Sequence, residues 1–336
     1  MRRVTAVQID LVDPFDDKRF DAWHAAYLAA DTAGRDYPTP WMLAEARESF
    51  GRPDSATRRE ALAAVDDTGQ MVGVGIVVLP LLDNTRTAYV EVCVPPRHRR
   101  RGTGSAVLSA VLDRARHADR SNAIAEVNYP LGNLDGHPGV CFATAHEFAE
   151  ASTEIHRVLD LPVPVARLDA MLAETARRPA DYRLVSWVDR APDEWVDAYA
   201  DLNMLFNSEA PTGDLDLEDE RWDVARVREA EEMRLAQGRT TFVTAAVGPD
   251  GVLVGHTVLV VPSHDPGTVH QWATLVHRAH RGHRLGLALK LANQRAMQDE
   301  CPDVRVIHTW NAEVNGPMVA VNEQLGFRPV EQFGEW

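Results

Sequence analysis

The sequence has few cysteines, and their positions exclude two classes of protein. Its 336 residues contain 3 cysteines, Cys93, Cys141 and Cys301, which lie far apart and form neither a CxxC pair nor a zinc-binding pattern. Unpaired thiols of this kind are typical of a reducing compartment. The sequence therefore predicts neither a disulfide framework nor a metal site.

Long apolar runs are also missing. The longest mostly apolar run, residues 72–82, is too short to cross a bilayer as a helix. The amino-terminal segment MRRVTAVQIDLVD alternates like a strand and has no apolar signal core. We therefore predict no membrane association, and the cytoplasm is the expected location.

The sequence also has fewer basic residues than acidic residues. The chain has 35 Lys and Arg against 50 Asp and Glu, which gives a formal net charge of -15 at pH 7. Binding to phosphate backbones depends on Lys and Arg, so the sequence argues against a general nucleic-acid binder. The length favours two domains over one.

The sequence does contain an internal repeat. A shift of 182 positions (276 minus 94) places Val94 on Val276 and Arg99 on Arg281 without a gap. Nearer the amino terminus, a shift of 172 positions (195 minus 23) places FDAWHAAYLAAD on PDEWVDAYADLN. We therefore predict a first repeat of residues 1–161, a linker of residues 162–181 and a second repeat of residues 182–336.

Hydrophobic periodicity predicts the order β-α-α-β-β-β-α-β-α-β in each repeat. In the first repeat the strands include residues 70–79, 87–94, 123–128 and 152–159, and the main helix covers residues 104–117. This order differs from the one strand per helix of a Rossmann fold. It predicts an α/β fold in which a mixed sheet carries helices on both faces.

An arginine-rich turn, VPPRHRRRGTG at residues 94–104, stands between a predicted strand and the main helix. The unpaired amides at a helix start attract anions, and glycines let a ligand approach the backbone closely. Arg99 can add a charge-assisted hydrogen bond. The spacing fits neither a P-loop nor GxGxxG, so we predict a different phosphate site. The alternative interpretation is an exposed cluster that only solubilises the turn.

This turn resembles the acetyl-CoA signature of the GNAT superfamily of N-acetyltransferases, Gln/Arg-x-x-Gly-x-Gly/Ala, because Arg99, Gly102 and Gly104 fill its three positions. The resemblance covers nearly all of both repeats. It implies two tandem GNAT-like acyl-CoA N-acyltransferase domains, as in mycothiol synthase-like actinobacterial proteins. The implied reaction moves an acetyl group from acetyl-CoA to a primary amine of a small molecule or peptide by direct attack on the thioester.

The resemblance also implies which residues hold acetyl-CoA. In the first repeat they are Val92, Cys93, Val94, Arg99, Arg100, Arg101, Gly102, Thr103 and Gly104. In the second repeat they are Leu275, Val276, Arg281, Gly282, His283, Arg284, Leu285, Gly286, Asn311 and Asn315. Arg284 replaces the first glycine of the signature there, and a shifted register beginning at His283 is an alternative. Asn311 and Asn315 fit a turn and a helix cap equally well.

The catalytic set is incomplete in both repeats. Glu91 stands where GNAT proteins often carry a base, although an exposed strand carboxylate is an equally good interpretation. His270 and His308 are alternative bases or structural histidines. Ala143 and Asn322 occupy the position of the family's thiolate-protonating tyrosine.

A different class of function therefore stays open. The alternative to an enzyme is a non-catalytic CoA-binding, sensing or scaffold protein. An acidic segment, residues 214–223, would attract an amine or would simply begin a helix. The sequence indicates neither the acceptor nor the oligomeric state.

Overall fold

The computed structural model describes residues 7–132, 136–175, 181–205, 209 and 213–336. The elements of the first repeat are β1 (Gln8–Val12), α1 (Asp17–Asp31), α2 (Leu43–Gly51), β2 (Thr57–Val65), β3 (Met71–Pro80), β4 (Thr87–Cys93), α3 (Thr103–His117), β5 (Asn122–Pro130), α4 (Pro138–Ala145) and β6 (Ser152–Asp160). This order confirms the predicted one. The sequence prediction required β2 but did not locate it.

The second repeat has the same order. Its elements, after α5 (Val165–Thr175), are β7 (Arg183–Val188), α6 (Val196–Met204), α7 (Val224–Ala236), β8 (Arg239–Val247), β9 (Leu253–Pro262), β10 (Thr268–Val276), α8 (Leu285–Glu300), β11 (Val306–Ala312), α9 (Gly316–Leu325) and β12 (Arg328–Glu335). Short 3-10 turns, Pro96–His98 and Arg278–His280, precede α3 and α8. Within the described ranges, no helix combines the length and the apolar character needed to cross a membrane.

The chain forms two compact units. The first comprises Met1–Glu126 with Glu335–Trp336, and the second comprises Val127–Gly334. These bounds do not coincide with the predicted repeat boundaries, because β6 pairs with β11 from Glu154 to Asp160. At the other end of the chain, Trp336 and Ala125 exchange backbone hydrogen bonds of 2.9 and 2.8 Å. Strand pairing between distant segments therefore decides the composition of each unit.

In the first unit, strands β1 to β4 pair antiparallel in sequence order, and β4 pairs parallel with β5. One face of this sheet packs against α1, where Phe20 and Trp23 stack with ring centroids 5.1 Å apart. The indole of Trp23 donates a hydrogen bond of 3.0 Å to the Leu62 carbonyl. Helix α3 packs on the other face, against β3. Both faces of the sheet are thus covered, as the sequence predicts.

The second unit repeats this arrangement with more strands. Its strand order is β12-β6-β11-β10-β9-β8-β7. One core contains Leu259 of β9, Leu287 and Leu291 of α8 and Phe327. A separate core contains Val260 of β9 and Tyr199 of α6. Alternation along β9 puts these two cores on opposite faces, so α8 lies on one face and α6 on the other.

We predict that Gly75→Ala destabilises the first unit. A Cβ atom at Gly75 would lie 2.7 Å from Val111 Cγ1 and 2.8 Å from Val107 Cγ1, so α3 would have to move away from β3. Overpacking of this kind costs about 1–3 kcal/mol. Circular dichroism should show a lower midpoint of thermal unfolding. Gly316→Ala is the control, because a Cβ there meets nothing within 4 Å; equal midpoints for both variants would contradict the prediction.

Candidate functional site

The candidate site of each repeat lies where parallel strand pairing ends. Strands β4 and β5 pair from Thr87–Asn122 to Val90–Ala125, and both strands continue beyond this last pair. Strands β10 and β11 pair from Thr268–Val306 to His270–His308 and continue in the same way. Beyond these points, no strand of the described ranges pairs with that side of β4 or of β10, which leaves backbone groups that a ligand can pair with.

The turn after β4, residues 94–104, which we name the Arg99 turn, leads directly into α3. The Arg99 Nε donates a hydrogen bond of 2.8 Å to the Val94 carbonyl, which fixes the guanidinium at the end of the strand. Gly102 caps α3 with φ of 88°, a left-handed conformation that favours glycine. Arg100 and Arg101 are exposed beside it. The result is a helix start surrounded by positive charge, which is suited to a phosphate group.

The turn after β10, residues 276–286, which we name the Arg281 turn, has the same geometry. The Arg281 Nε donates to the Val276 carbonyl at 3.1 Å. The ungapped alignment therefore matches the structure, and the register beginning at His283 does not. Arg284 caps α8 with φ of 56°, where the Arg99 turn has glycine. Gly282 has φ of 85° at the position of Arg100, whose φ is 63°.

The two turns differ in their electrostatics. In the Arg281 turn, an Nη2–Oε2 ion pair of 2.6 Å joins Arg281 to Glu209, whose side chain is only 11% exposed. This carboxylate competes with a phosphate for the same guanidinium. The His283 ring lies 5.3 Å from the Tyr182 ring. The Tyr182 hydroxyl lies 3.0 Å from His280 Nδ1, so an aromatic cluster supports this turn.

The remaining predicted cofactor residues lie either at the end of a strand or at the start of the helix that follows it. Val92 and Cys93 end β4, Val94 follows that strand, Thr103 and Gly104 begin α3, and Leu275, Leu285 and Gly286 lie at the corresponding places of the second repeat. Cys93, Thr103, Leu275 and Leu285 are buried, so their side chains are not exposed to a ligand.

The two asparagines occupy different environments. Asn315 caps α9 through its backbone, as its alternative interpretation predicts. The Asn311 Oδ1 accepts a hydrogen bond from Asn322 Nδ2, and Asn322 Oδ1 accepts one of 2.7 Å from Lys290 Nζ. Lys290 is buried, and desolvation lowers the pKa of its amine to about 7. The sequence analysis missed Lys290, whose place on a predicted helix gave no sign of this network.

Glu91 lies on the face of β4 that carries α1. The register pairs Glu91 with Ile76 and Cys93 with Val74, and Cys93 packs in the core with Tyr27. The Cys93 thiol donates to Glu91 Oε1 at 3.1 Å. Desolvation raises the pKa of the Glu91 carboxyl to about 7, although the Cys93 hydrogen bond lowers it. Burial therefore favours the neutral carboxyl more than in an exposed glutamate.

His270 and His308 lie side by side as the last parallel pair of β10 and β11. Their ring centroids are 6.0 Å apart. Desolvation lowers the pKa of His270 to about 4, and the charges of Arg239 and His156 add to this effect. The Nδ1 of His308 lies 2.9 Å from Nε2 of His156, a residue of β6 that the sequence analysis did not predict.

Comparison with known proteins places this geometry in a family. The family model described as Acetyltransferase (GNAT) family matches residues 23–131 and 195–327. A tandem GNAT protein from the clavulanic acid biosynthesis pathway is 31% identical, with a TM-score of 0.78 and 98% of each chain covered. A comparison of the sequence with curated proteins found no match.

More distant structures share the fold. A GCN5-related N-acetyltransferase from Sphaerobacter thermophilus is 16% identical, with a TM-score of 0.63 and coverage of 98% of this chain and 94% of that one. The N-myristoyltransferase of Saccharomyces cerevisiae, with bound myristoyl-CoA, is 12% identical, with a TM-score of 0.60 and coverage of 100% and 79%. The two family matches begin at Trp23 and Trp195, which the repeat aligns. The chain therefore belongs to the acetyltransferase (GNAT) family, as a tandem protein with the acyl-CoA N-acyltransferase fold.

Proposed function

We propose that the protein is an acetyl-CoA-dependent N-acetyltransferase whose acceptor is a primary amine of a small molecule or peptide. Each repeat supplies one turn that binds the cofactor. The repeats are residues 1–161 and 182–336, and residues 162–181 form the linker between them. The proposed location of the reaction is the cytoplasm. The first repeat has the more complete site, and its geometry supports the proposal best.

The observation that carries the proposal is the arrangement around the end of β4. The open edge of this strand, the helix start at Gly102 and the Glu91 carboxyl all lie within one strand-turn-helix segment. The open edge can pair with the amides of the pantetheine arm, and the Arg99 turn can bind the pyrophosphate. Acetyl-CoA, when bound, supplies the activated acetyl group.

The protein must also remove a proton from the acceptor. An alkyl amine with a pKa near 10.4 loses its proton at pH 7 at a cost of about 4–5 kcal/mol. Glu91, with its pKa raised to about 7, is a suitable acceptor for that proton, directly or through one water. The amine nitrogen then forms the new bond to the acetyl carbon as the carbon–sulfur bond breaks.

A panel of amines tests the proposed reaction. Purified protein is incubated with acetyl-CoA and each amine, and the release of free thiol is measured. Amine-dependent release supports the enzyme. The alternative, a CoA-binding, sensing or scaffold protein, predicts calorimetric binding of acetyl-CoA without thiol release from any amine.

We predict that Arg99→Glu weakens acetyl-CoA binding to the first repeat at least about tenfold, a loss of about 1.4 kcal/mol. The substitution places a negative charge where the pyrophosphate binds. Titration calorimetry measures the affinity. Arg116→Glu is the control, because it makes the same change of charge at the exposed opposite end of α3. Unchanged affinity in Arg99→Glu would show that the turn is only a solvated surface.

We also predict that Glu91→Gln lowers the Arg99-dependent turnover, meaning the difference in turnover between the wild type and Arg99→Glu, by roughly 10²-fold at pH 7. Acetyl-CoA affinity should stay nearly unchanged, because the carboxyl acts on the amine. The wild-type rate should rise as pH increases through about 7, since the ionised carboxylate is the active form. At higher pH the variant should recover partly, because more of the amine is already neutral.

Initial rates of thiol release between pH 6 and pH 9 measure this effect. This range extends on both sides of the pH at which the Glu91 carboxyl changes its ionisation and reaches towards the ordinary pKa of an alkyl amine. Glu48→Gln is the control, since Glu48 lies on α2 and pairs with Arg52 on the surface. Wild-type turnover in Glu91→Gln would exclude Glu91 as the base.

A further inference from the structure

Three strands of the second unit bring histidines together on one face of the sheet. His156 of β6 is opposite Trp310 of β11, and His308 of β11 is opposite His270 of β10. The His156 and Trp310 rings stack 4.5 Å apart with an interplanar angle of 12°. This is the face that carries α6, since His270 pairs with Val260 of the core around Tyr199.

The histidines form a hydrogen-bonded chain that ends on a carboxylate. Glu331 Oε2 lies 3.3 Å from His156 Nδ1, and His156 Nε2 lies 2.9 Å from His308 Nδ1. All three residues are buried. With the Glu331 carboxylate as the acceptor, the proton of His156 lies on Nδ1 and its Nε2 accepts from His308. His308 then carries its lone pair on Nε2, as a general base requires.

The chain of residues ends at the point where the pairing of β10 with β11 stops. His308 belongs to the last parallel pair, and both strands continue past it without pairing to each other. In the first repeat the last pair is Val90–Ala125, and the next residue of β4 is Glu91. The repeat places Ala273 at the position of Glu91, so the second repeat has no carboxylate there.

We propose that the second unit holds a separate acyl-transfer site for a primary amine, in which His308 is the base and His156 and Glu331 are positioning residues. This inference rests on the proposed function and extends it to a second centre. The amine nitrogen bonds to the acyl carbon, the carbon–sulfur bond breaks, and the amine proton moves to His308 Nε2. The imidazolium then returns its proton to the departing thiolate or to water.

His156 links this site to the first repeat. It lies on the closing strand of that repeat, 152 residues before His308 in sequence. The second repeat alone, residues 182–336, lacks the residue that orients its base. The insertion of β6 beside β11 therefore completes the second site rather than the first.

The test uses the full chain with Arg99→Glu and Glu91→Gln together, which lowers the turnover of the first repeat at both its cofactor turn and its base. We expect measurable thiol release in this background, lowered at least about 10²-fold by His308→Gln. Glu331→Gln should lower kcat about tenfold with little change in the KM for acetyl-CoA, and Glu331→Asp should restore part of it. A packing role alone would change the unfolding midpoint and not separate kcat from KM in this way.

His256→Leu is the matched control. His256 lies buried on β9 beside Tyr199, and neither ring nitrogen has a hydrogen-bond partner in the described ranges. Its replacement should leave the residual turnover intact. A loss as large as that of His308→Gln would show that any buried histidine on this face matters equally, and would overturn the specific role.

A second measurement does not depend on turnover. Proton NMR of the unliganded chain should show low-field resonances from the two imidazole N–H groups of the chain of residues, and Glu331→Gln and His156→Gln should remove or shift them. Absence of these resonances in the wild type overturns the inference.

The kinetic outcomes separate the two proposals. No thiol release by the wild type with any amine overturns the proposed function and this inference together. Normal wild-type release with none left in the double variant, or with residual turnover unaffected by His308→Gln, overturns this inference alone.

Discussion

The end of parallel strand pairing is the constraint on which both candidate sites depend. Backbone N–H and C=O groups need partners, and a strand that continues beyond its neighbour has such groups on one side. At Val90 and at His270 the pairing stops while the strand continues. The helix that follows begins within one short turn of the same strand. A ligand that pairs with the strand edge therefore has its phosphate end directed to the helix start.

The two turns show how far sequence can change while the backbone is kept. Both depend on an arginine that donates to the carbonyl at the end of the preceding strand, Val94 in one repeat and Val276 in the other. The left-handed positions are retained, although glycine and arginine have exchanged between them. A non-glycine residue there costs about 1–3 kcal/mol, which each turn accepts once. The charge distribution is less conserved between the repeats, because Glu209 pairs with Arg281 and no corresponding pair appears at Arg99 in the described ranges.

Placement of β6 gives the chain a property that two independent domains would lack. The strand pairs with β11 over seven residue pairs, from Asp160–Val306 to Glu154–Ala312. This pairing sets His156 against Trp310 and His308, so a side chain of the first repeat becomes part of the second unit. Burial makes such a polar chain costly unless each member is bonded, and the carboxylate of Glu331 meets that requirement for His156.

The sequence by itself determined the order of elements, the repeat and the location of both turns, because periodicity, glycine and charge are local signals. Alternation along β4 also predicted that Glu91 and Cys93 share a face, which the register with Ile76 and Val74 confirms. Only the tertiary structure decided which strand completes each sheet and which side chains meet there. Alternation gives the face on which a residue lies but not the strand beside it, so the contacts of His156 with His308 and of Lys290 with Asn322 had no sequence signal. The same limit applies to the carboxyl of Glu91, whose raised pKa comes from burial under α1 and therefore from packing between segments distant in the chain.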